Sequence, residues 1–156
     1  VSFIDPDDAA FQAPANMPEA IREYCRRTGQ TVPAGEGEIV RTAIESLALK
    51  YRYTLGKLEQ LVGGRLETIH IVGGGVQNRQ LCQAAADACG RRVVAGPVEA
   101  TAVGNVMMQA IAAGAATDLA QARDVIRESF SVEEYLPRDR DQWDEAYGRF
   151  VKLLPA

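Results

Sequence analysis

Histidine occurs once in the sequence, at His70, and cysteine only three times, at Cys25, Cys82 and Cys89. No Cys-x-x-Cys spacing is present, and no second His or Cys lies near His70, so the pattern offers no zinc or redox motif. Cys82 and Cys89 fall on one expected helix, about 10 Å apart at ~1.5 Å per residue, too far to bridge. Reduced core thiols in a cytoplasmic protein are the reading of all three. Basic clusters are also missing: Arg26–Arg27 and Arg91–Arg92 are isolated doublets in a chain of net charge −4 and pI near 5.1. That charge excludes a nucleic-acid or anionic-membrane surface. No secretory leader is expected, and no apolar run approaches the ~18 residues of a membrane span. Aromatics are scarce at 6%, so core packing is expected to rest on small aliphatic side chains. Internal repeats and low-complexity tracts are lacking as well.

What remains is an ordinary globular composition, 47% hydrophobic over 156 residues, enough for one domain with its own core. The chain opens at Val1 without a Met, which suggests a piece of a longer protein. Residues 1–15, rich in Asp, Pro and Ala, read as irregular. Asn16 is a helix cap with Pro18 in the first turn, and Gly29 ends that helix. A long helix is predicted over 38–62 from the recurrence of Val40, Ile44, Leu47, Tyr51, Leu55, Leu58 and Val62, with Gly63-Gly64 as its stop. Thr68–Val72 is β-branched and reads as a buried strand. Asn78 to Ala88 reads as a helix ending at Gly90, and Arg92–Ala95 as a second short strand. A buried helix over 99–113, another capped by Asp118, and a last amphipathic helix from Asp139 to Leu153 complete the order α-α-β-α-β-α-α-α. The strand-glycine-helix-strand stretch is an α/β unit with parallel strands. Two strands alone make no stable sheet, so partner strands are expected from upstream or from another chain.

The most informative local feature is Gly73-Gly74-Gly75-Val76-Gln77-Asn78 between strand and helix. Glycines there allow positive φ and let a ligand approach bare backbone, and the N–H groups of a turn and helix start favour phosphate. A tight turn in an α/β unit accounts for the same glycines structurally. Two other phosphate motifs fail. A Walker A loop needs Gly-Lys-Ser/Thr where Val76-Gln77-Asn78 stands. A dinucleotide fingerprint needs a glycine at position 78 and an acid at the end of the next strand, where Val93-Val94-Ala95 has none. Other polar residues have plain structural readings: Arg41 and Glu45 an i,i+4 pair, Asp87 a hydrogen-bonding residue, Glu99 a helix cap, His70 a packed strand residue. Met107-Met108 read as core, and Trp143 with Phe150 as one helix face packed on the body.

Three segments, in this order, resemble the FGGY carbohydrate kinases of the actin/hexokinase/Hsp70-like ATPase superfamily. They are Arg41–Ala48, the stretch Gly73 through Gly90 (Gly-Gly-Gly-x-x-Asn-x-x-Leu-x-Gln-x-x-Ala-Asp-x-x-Gly), and Gly96–Asn105. The resemblance implies a two-lobed enzyme with the catalytic cleft between the lobes. In that family the N-terminal lobe holds the sugar, an Asp-x-Gly phosphate loop and the general-base aspartate; the C-terminal lobe holds most of the adenine and ribose pocket. Residues 1–156 match the later part of the C-terminal lobe alone. The implied fold is a partial actin/hexokinase-like (ribonuclease H-like) α/β lobe, helix-rich with two short core strands. Carried over residue by residue, Gly73, Gly74 and Gly75 form the turn. Gly74 and Gly75 approach phosphate and ribose, Asn78 faces the adenine edge and Gln77 is a second contact. No catalytic and no metal-binding residue is expected in this chain. The expected activity of the full protein is transfer of phosphate from ATP with Mg2+ to a ketose such as L-rhamnulose; the fragment is expected to be inactive. The alternative is a non-catalytic nucleotide-binding or protein-interaction module whose glycine turn is only a bend. An uncovered sheet edge leads us to expect self-association.

Overall fold

A computed structural model describes residues 1–138 and 140–155. Its elements are α1 (Met17–Arg27), α2 (Glu36–Val62), β1 (Thr68–Ile71), α3 (Arg79–Cys89), β2 (Arg92–Ala95), α4 (Ala100–Ala112), α5 (Leu119–Ser129), β3 (Glu133–Tyr135) and α6 (Asp141–Phe150), with short 3-10 turns at Ala9–Phe11, Gly73–Gln77 and Val151–Leu153. The fold is α/β and helix-rich, as expected. Local signals set most boundaries. The Asn16 side chain accepts from the Glu19 N–H, and that of Asp118 from the Gln121 N–H. Gly63 and Gly90 end α2 and α3 in the left-handed conformation that only glycine adopts without cost. The last helix begins, among the described residues, at Asp141; the expected start at Asp139 lies outside them.

The sheet has three strands in the order β1-β2-β3. β1 and β2 are parallel, with Ile69 opposite Val93 and Ile71 opposite Ala95. β3 is antiparallel, with Glu133 opposite Ala95 and Tyr135 opposite Val93. The two-strand expectation is therefore corrected to three. Glu133-Glu134-Tyr135 has no apolar alternation and is too short to announce itself. β1 is also less buried than expected. Ile69 and Ile71 pack toward α3, joining Cys82, Ala85, Ala86, Val93 and Ala95. His70 points the other way and is exposed rather than packed, because side chains alternate along a strand and only the α3 side of β1 joins the core.

The largest correction concerns α2. Val40, Leu58 and Val62 of the expected stripe are exposed, and the buried residues are Ile39, Thr42, Ser46, Ala48, Leu49 and Leu55. The reason lies at the N-terminus. Phe3 and Ile4 are buried in an irregular segment that docks on α2, where the Ile4 N–H donates to Ser46 Oγ at 2.9 Å and Ser46 Oγ donates to the Thr42 carbonyl at 2.6 Å. Gln30 brackets Phe3 with two further bonds of 2.8 and 2.7 Å, and Lys50 pairs with Asp5 at 2.8 Å. Phe3 then joins Leu49, Ala84, Ala88 and Phe150, with Trp143 packed alongside, in the core that joins α2, α3 and α6. The expected Trp143–Phe150 face thus packs on the body. α4 departs from expectation too. It buries no residue, Met108 is 54% exposed, and Met107 is only partly covered, so the pair is not core. An all-round apolar helix is expected to be buried, but among the described residues α4 packs chiefly on α5.

Candidate functional site

The glycine turn sits where β1 ends. Gly73 has φ +78°, a conformation that calls for glycine. Its N–H donates to the Pro97 carbonyl at 3.2 Å, and the Gly96 N–H donates to the Ile71 carbonyl at 2.9 Å, so the turn is held against the Gly96–Pro97 loop. A 3-10 helix fills Gly73–Gln77, where a simple glycine turn is expected. Val76 anchors it on the β1–β2–α3 core, and Cys82 Sγ lies 3.9 Å from the carbonyl oxygens of Gly75 and Val76.

Asn78 is the cap of α3 rather than its first residue. Its Oδ1 accepts from the Leu81 N–H at 3.0 Å, while its own N–H closes the 3-10 helix on the Gly75 carbonyl at 3.2 Å. With one Oδ1 lone pair taken by the cap, Asn78 still offers its amide NH2, a donor pair. Gly74, Gly75, Gln77 and Asn78 all face solvent, whereas Gly73 is half-buried. The i→i+3 pattern starts its bonds at the Gly75 N–H, which leaves the Gly74 N–H without an acceptor inside the turn.

The glycines differ in what the chain itself requires of them. Gly74 and Gly75 have no positive φ. A Cβ on Gly74 would meet nothing within 4 Å, and one on Gly75 would make an ordinary 3.7 Å contact with Ile71. Neither backbone conformation nor packing within the chain calls for glycine at these two positions, and glycine in a helical turn costs about 0.5–1 kcal/mol relative to alanine. Their missing side chains have a use only if something approaches from outside.

Residues invisible as site residues in the sequence surround the turn. Arg79, first in α3, pairs with Glu133 of β3, whose other oxygen accepts from the Tyr135 hydroxyl. That hydrogen bond, with lesser help from burial, pushes the Tyr135 hydroxyl up to about 12. The Tyr135 and Arg79 bonds together hold Glu133 below the usual carboxylate range. A groove of about 650 Å³ runs between α2 and α3 and opens beside Gln80, two residues past Asn78. Asp87 is a structural acceptor, from Gln83 Nε2 and the Arg138 N–H, both at 2.8 Å. Arg41 and Glu45 form their i,i+4 pair at 2.6 Å. Glu99 precedes α4 but makes no side-chain capping bond. All three cysteines are free and buried, and burial pushes the Cys89 thiol up to about 12, well away from a reactive thiolate. Among the described residues no group of three or more His, Cys, Asp or Glu is placed to hold a metal, and no helix is long and apolar enough to cross a membrane.

An α/β unit whose first strand runs into a bare glycine turn matches a known family. Residues 1–113 fit the model for the C-terminal domain of the FGGY family of carbohydrate kinases, and the chain belongs to that family. Within it, the chain is similar to the rhamnulokinase of Bacteroides thetaiotaomicron, 52% identical over 98% of this chain and 32% of the relative. It is also similar to that of Pectobacterium atrosepticum, 43% identical over 98% and 31%. The fold is that of the sugar kinases. Glycerol kinase from Plasmodium falciparum, solved with ADP, superposes with a TM-score of 0.60 at 20% identity, covering 82% of this chain and 26% of that one. The chain thus spans about a third of the length of the curated relatives it matches.

Proposed function

We propose that residues 1–156 form the later part of the C-terminal, nucleotide-binding lobe of a two-lobed ATP-dependent sugar kinase acting on a ketose, with L-rhamnulose the favoured substrate. The observation that carries the nucleotide assignment is the pair Gly74–Gly75, glycines that neither backbone conformation nor internal packing requires, exposed at the end of β1. The sugar assignment rests on similarity to rhamnulokinases along nearly the whole chain.

In this reading Gly73 shapes the turn, and Gly74 and Gly75 let ribose and phosphate lie against main chain. The Gly74 N–H faces the phosphates, and the positive end of α3 adds to their attraction. Asn78 gives one amide hydrogen to a ring nitrogen of adenine, and Gln77 flanks the ribose. Mg2+ enters with the nucleotide phosphates, and no ligand to it is assigned in this chain. The sugar pocket and general base belong to the other lobe, so the 156 residues alone bind without catalysing. A cytoplasmic location accords with the three free thiols.

Calorimetric titration with MgADP tests the site. Saturable binding by the unsubstituted chain, abolished in Gly74→Val, is the expected result. Equal binding by both would remove the turn from the site.

A further inference from the structure

The segment after α5 lies beyond residue 113, where the match to the family model stops, yet it is bonded to α3 along its length. Arg79, Gln83 and Asp87 stand four apart and so share one face of that helix. Arg79 pairs with Glu133. Gln83 Nε2 donates to the Leu136 carbonyl at 2.9 Å, and Asp87 Oδ1 accepts from the Arg138 N–H at 2.8 Å. The same segment supports the other side of the turn. Glu133 lies opposite Ala95 in the sheet, and just before it Ser131 and Val132 close on Gly96. There φ is +129°, and a Cβ would come within 3.2 Å of the Ser131 carbonyl oxygen. Gly96 and Pro97 are the residues bonded to Ile71 and Gly73.

Stability alone does not explain this arrangement. Arg79 and Glu133 are 76% and 49% exposed, and pairs so exposed contribute little to global folding. Arg79 is also a cation at the positive end of α3, the wrong end for it. Glu133 offsets that mismatch, and the Tyr135 hydroxyl fixes the carboxylate that does so. Three polar contacts in line on one helix face determine where a helix sits more than how strongly it folds.

We propose that residues 131–138 are a strap that sets the placement of α3, with Glu133 the positioning residue that holds Arg79 and thereby keeps Asn78 and the glycine turn in nucleotide-accepting geometry. Its functional meaning rests on the nucleotide reading above; its structural content does not.

Hydrogen exchange read by mass spectrometry on the unsubstituted chain, Glu133→Gln, Arg79→Glu, Glu133→Arg and the double reversal separates the two. Exchange in peptides spanning residues 73–82 rises about two- to fivefold in each single variant, the range a surface ion pair allows. It returns toward the original rate in the double reversal, while peptides of α1 are unchanged throughout. MgADP affinity falls by a similar factor in the single variants and recovers in the double. Unchanged exchange at 73–82 in Glu133→Gln, or no recovery in the double reversal, overturns the strap. Absence of MgADP binding by the unsubstituted chain would count against the nucleotide reading instead, and the exchange comparison would still decide whether the strap positions the turn.

Discussion

Ser46 joins the N-terminal segment to the body with one hydroxyl that accepts from Ile4 and donates to Thr42, in a fully buried position. Ser46→Ala would leave the Ile4 N–H buried and unpaired, at a cost of about 1–3 kcal/mol. Chemical denaturation should show that loss with little change in slope; an unchanged midpoint would mean the segment is not docked as described. Gly74 works in the opposite sense. Gly74→Ala removes a conformational cost without a clash, so it should raise stability by about 0.4–1 kcal/mol while weakening MgADP binding. A variant that gains stability and loses ligand identifies a residue kept for function. The difference between the two positions also marks what the sequence could reveal. Asn16, Asp118, Gly63 and Gly90 were legible because their partners lie within a few residues. Ser46 was not, because its partner is 42 positions away.

Among the elements, α2 shows why apolar periodicity alone can choose the wrong face. Val40, Leu58 and Val62 make a good stripe, but the face that packs includes Thr42 and Ser46, polar residues satisfied by a segment with no regular structure of its own. β3 was illegible for a different reason, being three residues long with two adjacent glutamates. The glycine turn was legible as a turn, and its 3-10 filling was not, since no residue signal separates three glycines in a bend from three in a short helix. The far end of α2 is fixed by charge. Glu59 Oε1 takes Arg91 Nη2 at 2.8 Å and the Leu66 N–H at 2.9 Å, and Arg91 Nε donates to the Leu66 carbonyl at 2.7 Å. The Arg91 bond first, then the Leu66 N–H, holds Glu59 below its ordinary 4.5. A carboxylate depressed on folding contributes stability that is present above its unfolded value and is lost as pH falls through the folded one. Melting temperature should therefore drop on acidification below about 4.5, the ordinary carboxylate value. In Glu59→Gln it should start lower at neutral pH and drop less steeply. Parallel curves for the two proteins would show that the Glu59 clamp has no part in the acid response.

At the scale of the whole molecule, the described residues leave both sheet edges and two apolar helix surfaces without a partner. The longer edge is β1, Thr68–Ile71, paired only with β2 among the described strands; the other is the three-residue β3, which carries Glu133 and Glu134. The surfaces are the second face of α2, where Leu61 is 83% exposed, and α4, where Val106 is 63% exposed. In a full-length kinase of the proposed kind these are places where the rest of the protein would pack; in the isolated chain they face water. A free strand offers a row of backbone donors and acceptors to any similar strand, whereas apolar helix faces associate without register. The small net charge of −4 opposes association only weakly. Self-association through β1 is the expected result, and light scattering with two variants separates the routes. His70→Lys places a charge at the edge strand on an exposed position, and it should shift the chain toward monomer with no loss of melting temperature. Leu61→Lys should leave the mass distribution unchanged. The reverse outcome would assign association to α2, and a monodisperse monomer for the unsubstituted chain would contradict self-association altogether.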